Sequence, residues 1–138
     1  MKPPPDIQTF FNTLNKNTID IVDDFYDANV HFQDPVVNFS NRDQVKKYYA
    51  RLYKNVESIV FEFSDEIKQD KRSVAAWKMT VRMKGKPISV DGVSVIKFGG
   101  MEGKAVYHRD YFDMGAFIYE HIPLLGNVIK GIKGKMLS

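Results

Sequence analysis

The most restrictive feature of this sequence is one change in the spacing of its apolar residues. Up to residue 56 they recur mainly at intervals of three and four, which is typical of amphipathic helices. From residue 58 to residue 113 they recur at every second position, which is typical of strands with one solvated face. Helices followed by a run of strands predict an α+β fold, with a cone-shaped, curved antiparallel sheet closed over three N-terminal helices.

The helical part divides into three segments with recognisable starts. A first helix is predicted over 7–14, behind prolines and an aspartate that suit a helix start, and a second over 19–26 with Thr18 as N-cap. A short strand follows and ends at Asp34, because the next residue is a proline. The third helix begins at Asn41, which is spaced from a glutamine three residues later like a capping box.

The alternating part predicts a meander of four strands separated by glycine-containing turns. Its segments are 58–67, 73–83, 88–98 and 105–114. We expect a single domain over 1–138, with a core of about 5–116 and a C-terminal amphipathic extension over 117–138.

Charge and residue types exclude several classes of function. The formal net charge is only +3 and the chain has no cysteine. A nucleic-acid-binding stripe, a disulfide framework and a thiolate metal site are therefore not expected. No apolar run reaches the 18 or so residues that span a bilayer. We expect a cytoplasmic protein with no nucleic-acid partner and no integral membrane span.

The last predicted strand, AVYHRDYFDMG, carries an unusual number of polar side chains. In an extended chain His108, Asp110 and Phe112 share one face, and Arg109 lies on the other. Whichever face is buried takes an ionisable group inside, which is costly unless the group is paired or lines a pocket. Because Asp110 and Arg109 point to opposite faces, we expect Asp110 to pair with His108 or with a tyrosine.

Other polar and aromatic residues leave alternatives open. Asp34 is either a turn carboxylate that caps nearby amides or a functional group at a strand end. The three histidines lack the spacing of a metal site, so we expect no metal and no cofactor. The tyrosines at 48, 49 and 53 favour helix packing over a binding platform, and Trp77 is either core or the wall of a pocket.

The order of elements, with a short strand ending FQDPVV and a meander ending KAVYHRDYFDMG, resembles the nuclear-transport-factor-2-like superfamily. That superfamily includes ketosteroid isomerase, limonene epoxide hydrolase and SnoaL-type polyketide cyclases. The likeness covers residues 5 to about 117. It implies a cone-shaped cavity whose open end carries acid/base groups.

The resemblance also implies roles for individual residues. Asp34 matches the proton-shuttling base of ketosteroid isomerase, whereas the oxyanion tyrosine falls on Phe10 and the oxyanion aspartate falls near Ser94. Asp110 matches a catalytic aspartate of limonene epoxide hydrolase, whose second aspartate is replaced here by Trp77 or a neighbouring methionine. SnoaL-type cyclases place an acid/base aspartate in the same final strand.

Three hypotheses follow. The first is a cofactor-independent acid/base enzyme of isomerase, cyclase or hydrolase type acting on a small apolar carbonyl or polyketide-like compound. Asp34 would be its general base, and Asp110 with His108 would bind or protonate the substrate oxygen. The others are a non-catalytic binding protein for a small apolar ligand and a homodimeric interaction module that pairs through the outer sheet face. The predicted ligand-contacting residues are Phe10, Phe32, Tyr49, Trp77, Ser94 and Phe112.

Overall fold

The computed structural model describes residues 3–113, so the predicted extension over 117–138 and the end of the core lie outside the described residues. The α+β fold is confirmed. The elements are α1 (Ile7–Thr13), α2 (Ile21–Phe25), β1 (Tyr26–Gln33), β2 (Asn38–Phe39), α3 (Arg42–Lys54), β3 (Ser58–Gln69), β4 (Arg72–Met83), β5 (Lys86–Gly99) and β6 (Lys104–Phe112). No helix within residues 3–113 is long and apolar enough to cross a membrane.

The six strands form one open sheet in the order β2-β1-β6-β5-β4-β3. The meander from β3 to β6 is antiparallel, as predicted, but β1 runs parallel to β6, so the sheet is mixed. A parallel pair needs a long connection, and here α3 and four strands lie between the two partners in sequence. Register shifts within β3 and β5 mark irregularities of the kind that bend strands.

Two of the three helices begin directly after a residue whose side chain caps them. The Asp6 carboxylate accepts a hydrogen bond from the Thr9 amide at 2.7 Å, and the Asn41 side chain accepts one from the Gln44 amide at 2.9 Å. The prediction for α2 was wrong by two residues at its start. The Thr18 hydroxyl instead accepts from the Asn15 amide and donates to a carbonyl, so it closes a turn before the helix.

The hydrophobic core is largely aromatic and lies between the helices and the inner face of the sheet. Phe10 of α1 is fully buried and stacks on Phe25 of α2, with ring centroids 4.1 Å apart. Tyr26 and Phe32 of β1 pack in the same cluster. The core thus fixes α1 and α2 over one part of the sheet and leaves α3 to cover the rest.

Candidate active site

A cavity of about 60 Å³ lies between α1, α3 and the inner face of the sheet. Its lining contains two carboxylates in an otherwise aromatic and aliphatic wall. The lining residues are Phe11, Phe32, Asp34, Tyr48, Tyr49, Leu52, Tyr53, Ile59, Phe61, Trp77, Met79, Val81, Asp110 and Phe112. A small apolar molecule with one polar group fits such a wall.

The parallel pairing of β1 with β6 brings the two carboxylates to the same cavity. In its register Phe32 lies opposite His108 and Gln33 lies opposite Arg109. Gln33 is the last residue of β1, and Asp34 follows it directly. Two aspartates separated by 75 intervening residues therefore both line the cavity.

Asp34 caps a turn and lines the cavity at the same time, so the two alternatives left open by the sequence are not exclusive. Its Oδ1 accepts hydrogen bonds from the amides of Val36 at 2.7 Å and Val37 at 2.9 Å. Its Oδ2 accepts one from the Tyr48 hydroxyl at 2.6 Å. Burial raises the pKa of the Asp34 carboxyl above its ordinary value, against the lowering effect of these three donors.

Asp110 has a different environment. Its Oδ1 accepts a hydrogen bond from the Ser94 hydroxyl at 2.5 Å and lies within hydrogen-bond distance of His108 Nε2, at 2.6 Å. Among residues 3–113 no hydrogen bond is formed to its Oδ2. The side chain is 14% exposed and belongs to the lining of the cavity.

A chain of buried polar groups continues behind Asp110. The other ring nitrogen of His108, Nδ1, is 2.6 Å from the Tyr26 hydroxyl, which is 3.0 Å from the Tyr49 hydroxyl. At the other end Trp77 Nε1 donates to the Ser94 hydroxyl at 2.8 Å. Burial raises the pKa of Tyr26 and of Tyr49 well above the ordinary value for a tyrosine, so both side chains act as neutral hydroxyl groups.

The sequence places these residues in a known family. A profile of the SnoaL-like domain matches residues 7–108. The chain belongs to the SnoaL-like domain family.

Solved structures share the fold of this SnoaL-like domain at low sequence identity. TerC co-crystallised with polyporic acid has a TM-score of 0.69 and 18% identity, over 85% of this chain and 94% of that one. A protein with a ketosteroid isomerase-like fold from Catenulispora acidiphila DSM 44928, in complex with trimethylamine, has a TM-score of 0.68 and 15% identity, over 81% and 88%.

An LEH-like epoxide hydrolase from M. tuberculosis also has a TM-score of 0.68, with 14% identity over 78% of this chain and 80% of that one. No curated protein sequence matches the chain. Identities in this range show a common fold, and this fold occurs in structures described as isomerases, cyclases and epoxide hydrolases.

The residues predicted to contact a ligand divide into two groups in this SnoaL-like domain. Four of them line the cavity, and these are Phe32, Tyr49, Trp77 and Phe112. Phe10 does not line it, because its ring stacks on Phe25 in the core between α1 and α2. Ser94 and the predicted catalytic His108 do not line it either, because both are fully buried behind Asp110 and bound to its Oδ1.

Two further residues of the site were not predicted. Tyr48 was assigned to helix packing, and its helical spacing gave no sign that its hydroxyl meets Asp34. Tyr26 was placed on the buried side of a helix, but it begins β1 and bonds to His108. The only available signal was that both are tyrosines at buried positions, since a buried tyrosine hydroxyl generally finds a partner.

The described residues offer no set of ligands for a metal ion. No group of three or more histidine, aspartate or glutamate side chains converges within residues 3–113. His31 bonds to the Asn38 side chain at 2.6 Å on the exposed edge of the sheet, away from the cavity.

Proposed function

We propose that this SnoaL-like domain is an acid/base enzyme of isomerase or cyclase type that moves a proton on a small, mostly apolar carbonyl compound without a cofactor. One observation supports it most. Two carboxylates, Asp34 and Asp110, line one apolar cavity and have different hydrogen-bond partners. Pairs of carboxyl groups that differ in environment divide the roles of acid and base.

In this proposal Asp110 is the general base and acts through Oδ2. Its Oδ1 is held by Ser94 and His108, which fixes the carboxylate, while Oδ2 has no partner among the described residues. Asp34 is the proton donor or the group that binds the substrate oxygen, because burial raises its pKa and favours the protonated form. These roles reverse those expected from the resemblance.

The cavity wall restricts the class of substrate. Eight of its fourteen lining residues are aromatic, and two are aspartates. An anionic substrate would be repelled by the carboxylates, whereas a neutral ring with one oxygen would contact the aromatic wall and one carboxyl group. We therefore propose a neutral, cyclic or aryl ketone or a related polyketide-like compound.

Deuterium exchange tests this function without knowledge of the natural substrate. The protein is incubated in D₂O with a panel of small cyclic ketones, aryl ketones and 1,3-diketones, and loss of the α-proton signal is followed by NMR. We expect at least one compound to exchange faster than in buffer, and the rate to fall by about 10²-fold or more in Asp110→Asn. Asp65→Asn, at an exposed position of β3, is the matched control and should exchange at the wild-type rate.

Equal exchange rates in wild type and Asp110→Asn would refute the proposed base. Binding of a panel compound without any exchange would instead favour the second hypothesis, a binding protein for a small apolar ligand. One observation favours that hypothesis: both oxygens of Asp34 are already engaged by Val36, Val37 and Tyr48. A carboxyl group so engaged can fix the polar end of a ligand without exchanging a proton.

We also propose a cytoplasmic homodimer that pairs through the outer face of the meander. Large apolar side chains are exposed on that face, notably Val60 at 53%, Ile67 at 66% and Val74 at 39%. Sheet pairing places Ile67 directly opposite Val74, so the two form a continuous apolar patch. Contiguous exposed apolar surface on a sheet is typical of a protein interface.

A further inference from the structure

Buried polar side chains form a continuous series of hydrogen bonds from Trp77 to Tyr49, and the direction of each bond depends on which atom carries the proton. A hydroxyl can donate or accept, and each ring nitrogen of a neutral histidine can do either. Several directions of hydrogen bonding are therefore compatible with the distances along the chain. Which direction holds decides whether His108 donates to Asp110.

Trp77 removes the ambiguity at one end because an indole N–H can only donate. Its Nε1 donates to the Ser94 oxygen, and the Ser94 hydroxyl proton is then free for the next partner. That partner is Asp110 Oδ1 at 2.5 Å, which accepts. A carboxylate oxygen that accepts from Ser94 can accept a second hydrogen bond from His108 Nε2.

On the other side of Asp110 a second arm of hydrogen bonds can run towards the same carboxylate. A neutral His108 that carries its proton on Nε2 has an unprotonated Nδ1, which must accept from the Tyr26 hydroxyl. The Tyr26 oxygen in turn accepts from the Tyr49 hydroxyl. The hydrogen bonds of both arms then run towards the Asp110 carboxylate, and each is satisfied with no second proton on the ring.

The surroundings of His108 favour this neutral ring. His108 has no exposed surface, and the rings of Phe11 and Phe32 pack edge-on against it at 5.7 and 5.0 Å between centroids. The charged group bonded to it is Asp110, and the group at its other nitrogen is a phenol with a raised pKa. A buried neutral imidazole between a donor and an acceptor needs no further solvation.

We propose that Tyr26 is a positioning residue that holds His108 in the neutral form protonated on Nε2, so that His108 donates to Asp110 Oδ1 and Oδ2 stays available for substrate. Ser94 and Trp77 support the same arrangement from the other side. The consequence for turnover rests on the proposed function. The protonation of His108 does not, and it can be measured without any substrate.

The experiment is long-range ¹H–¹⁵N NMR of the three histidine rings in the full chain, uniformly labelled with ¹⁵N, at neutral pH. His31→Gln and His121→Gln assign the signals of His108 by elimination. In wild type we expect a His108 ring with a protonated Nε2 and an unprotonated Nδ1. In Tyr26→Phe we expect the Nδ1 resonance to move downfield, because the hydrogen bond donated to this unprotonated nitrogen is lost.

Tyr53→Phe is the matched control, because Tyr53 is another buried tyrosine whose hydroxyl bonds to no residue in the described part of the chain. It should leave the His108 signals unchanged. If Tyr26→Phe does not fold, Trp77→Phe provides the second test from the other end of the chain, and Ser94→Ala removes the same support with less loss of volume. Either should broaden or shift the Nε2 signal of His108.

A wild-type His108 ring protonated on both nitrogens, or on Nδ1 alone, would overturn the proposal. So would a His108 signal unchanged in Tyr26→Phe. If the ring has the expected form but no panel compound exchanges, only the proposed function fails. If exchange is found, Tyr26→Phe should reduce its rate by roughly 10- to 100-fold, the range for loss of an outer partner of a functional histidine.

Discussion

Replacing Asp34 by asparagine tests whether its carboxyl is held in a state that costs stability at neutral pH. The amide oxygen can take the place of Oδ1 and accept from the amides of Val36 and Val37, at 2.7 and 2.9 Å in the wild type. The amide nitrogen then replaces Oδ2, and the Tyr48 hydroxyl turns to accept instead of donating. The two backbone amides keep their acceptor, and the group that loses one is the Tyr48 hydroxyl proton.

The size of the effect follows from two opposing contributions. Hydrogen bonds to a charged acceptor contribute about 1.5–3 kcal/mol each and neutral ones about 0.5–1.5 kcal/mol, so the variant loses part of three bonds. It also removes the cost of burying a charge, which is the main reason that the pKa of Asp34 is raised. We expect the free energy of unfolding at pH 7 to change by less than about 1 kcal/mol, or to increase.

Asp34→Ala is the contrasting variant because it leaves the same donors without an acceptor. Two amides and the Tyr48 hydroxyl lose their partner, and each such loss costs about 1–3 kcal/mol. We expect alanine to destabilise the domain by roughly 3 kcal/mol or more.

The raised pKa of Asp34 also determines how the stability of the domain changes with pH. The pKa of Asp34 is raised in the folded state above its ordinary value of 3.8, so the folded chain keeps a proton that the unfolded chain has lost. The stability that this proton contributes is complete below 3.8 and is lost as the pH rises through the folded pKa. Relative to Asp34→Asn, wild type should therefore lose stability by up to about 1.4 kcal/mol per pH unit in that window, and by nothing above it.

Urea unfolding at several pH values, followed by the fluorescence of the single tryptophan, measures this difference directly. Subtracting the two curves cancels the carboxyl groups common to both chains. If the stability of the wild type relative to Asp34→Asn increased as the pH rises from 3.8, the reasoning would be refuted. An asparagine variant that is destabilised by more than about 2 kcal/mol at pH 7 would also refute it.

Three other predictions concern neighbouring features. Tyr48→Phe removes a donor to Asp34, so the pKa of Asp34 should rise further in a ¹³C carboxyl titration, and the domain should lose about 1 kcal/mol of stability by urea unfolding. Gly92→Ala places a methyl group against the ring of Trp77, so it should destabilise by about 1–3 kcal/mol and shift the tryptophan fluorescence. Val74→Lys on the outer face should convert a dimer to a monomer of 15.9 kDa in sedimentation, and a wild type that is already monomeric would contradict the pairing.

Local features of the fold could be predicted from the sequence because they depend on nearby residues. The change of period located the helices and the meander, and Asp6 and Asn41 cap α1 and α3 as predicted. Alternation along the last strand also placed His108 and Asp110 on one face, where they bond to each other at 2.6 Å. Each of these conclusions needs only the direction of successive side chains.

The arrangement of the site depends on which strands pair. The spacing of apolar residues along the chain does not indicate which strands are partners. The parallel pairing of β1 with β6 was not predicted, and it brings Asp34 and Asp110 to one cavity and Tyr26 to His108. The position of Phe10 outside the cavity lining has a related reason. A buried position on α1 can face either the core or the cavity, and the packing of α1 on α2 directs this ring into the core.

The central claim is that Asp34 and Asp110 act on the same occupant of one cavity. The most direct test is to label the aspartate carboxyl carbons with ¹³C and titrate the protein with a ketone that it exchanges, or with the tightest-binding member of the panel. We predict that the carboxyl signals of Asp34 and Asp110 move together, with one binding constant, while the signal of Asp65 does not move. A compound that binds while neither signal moves, or only one of them does, would contradict a site built from the pair.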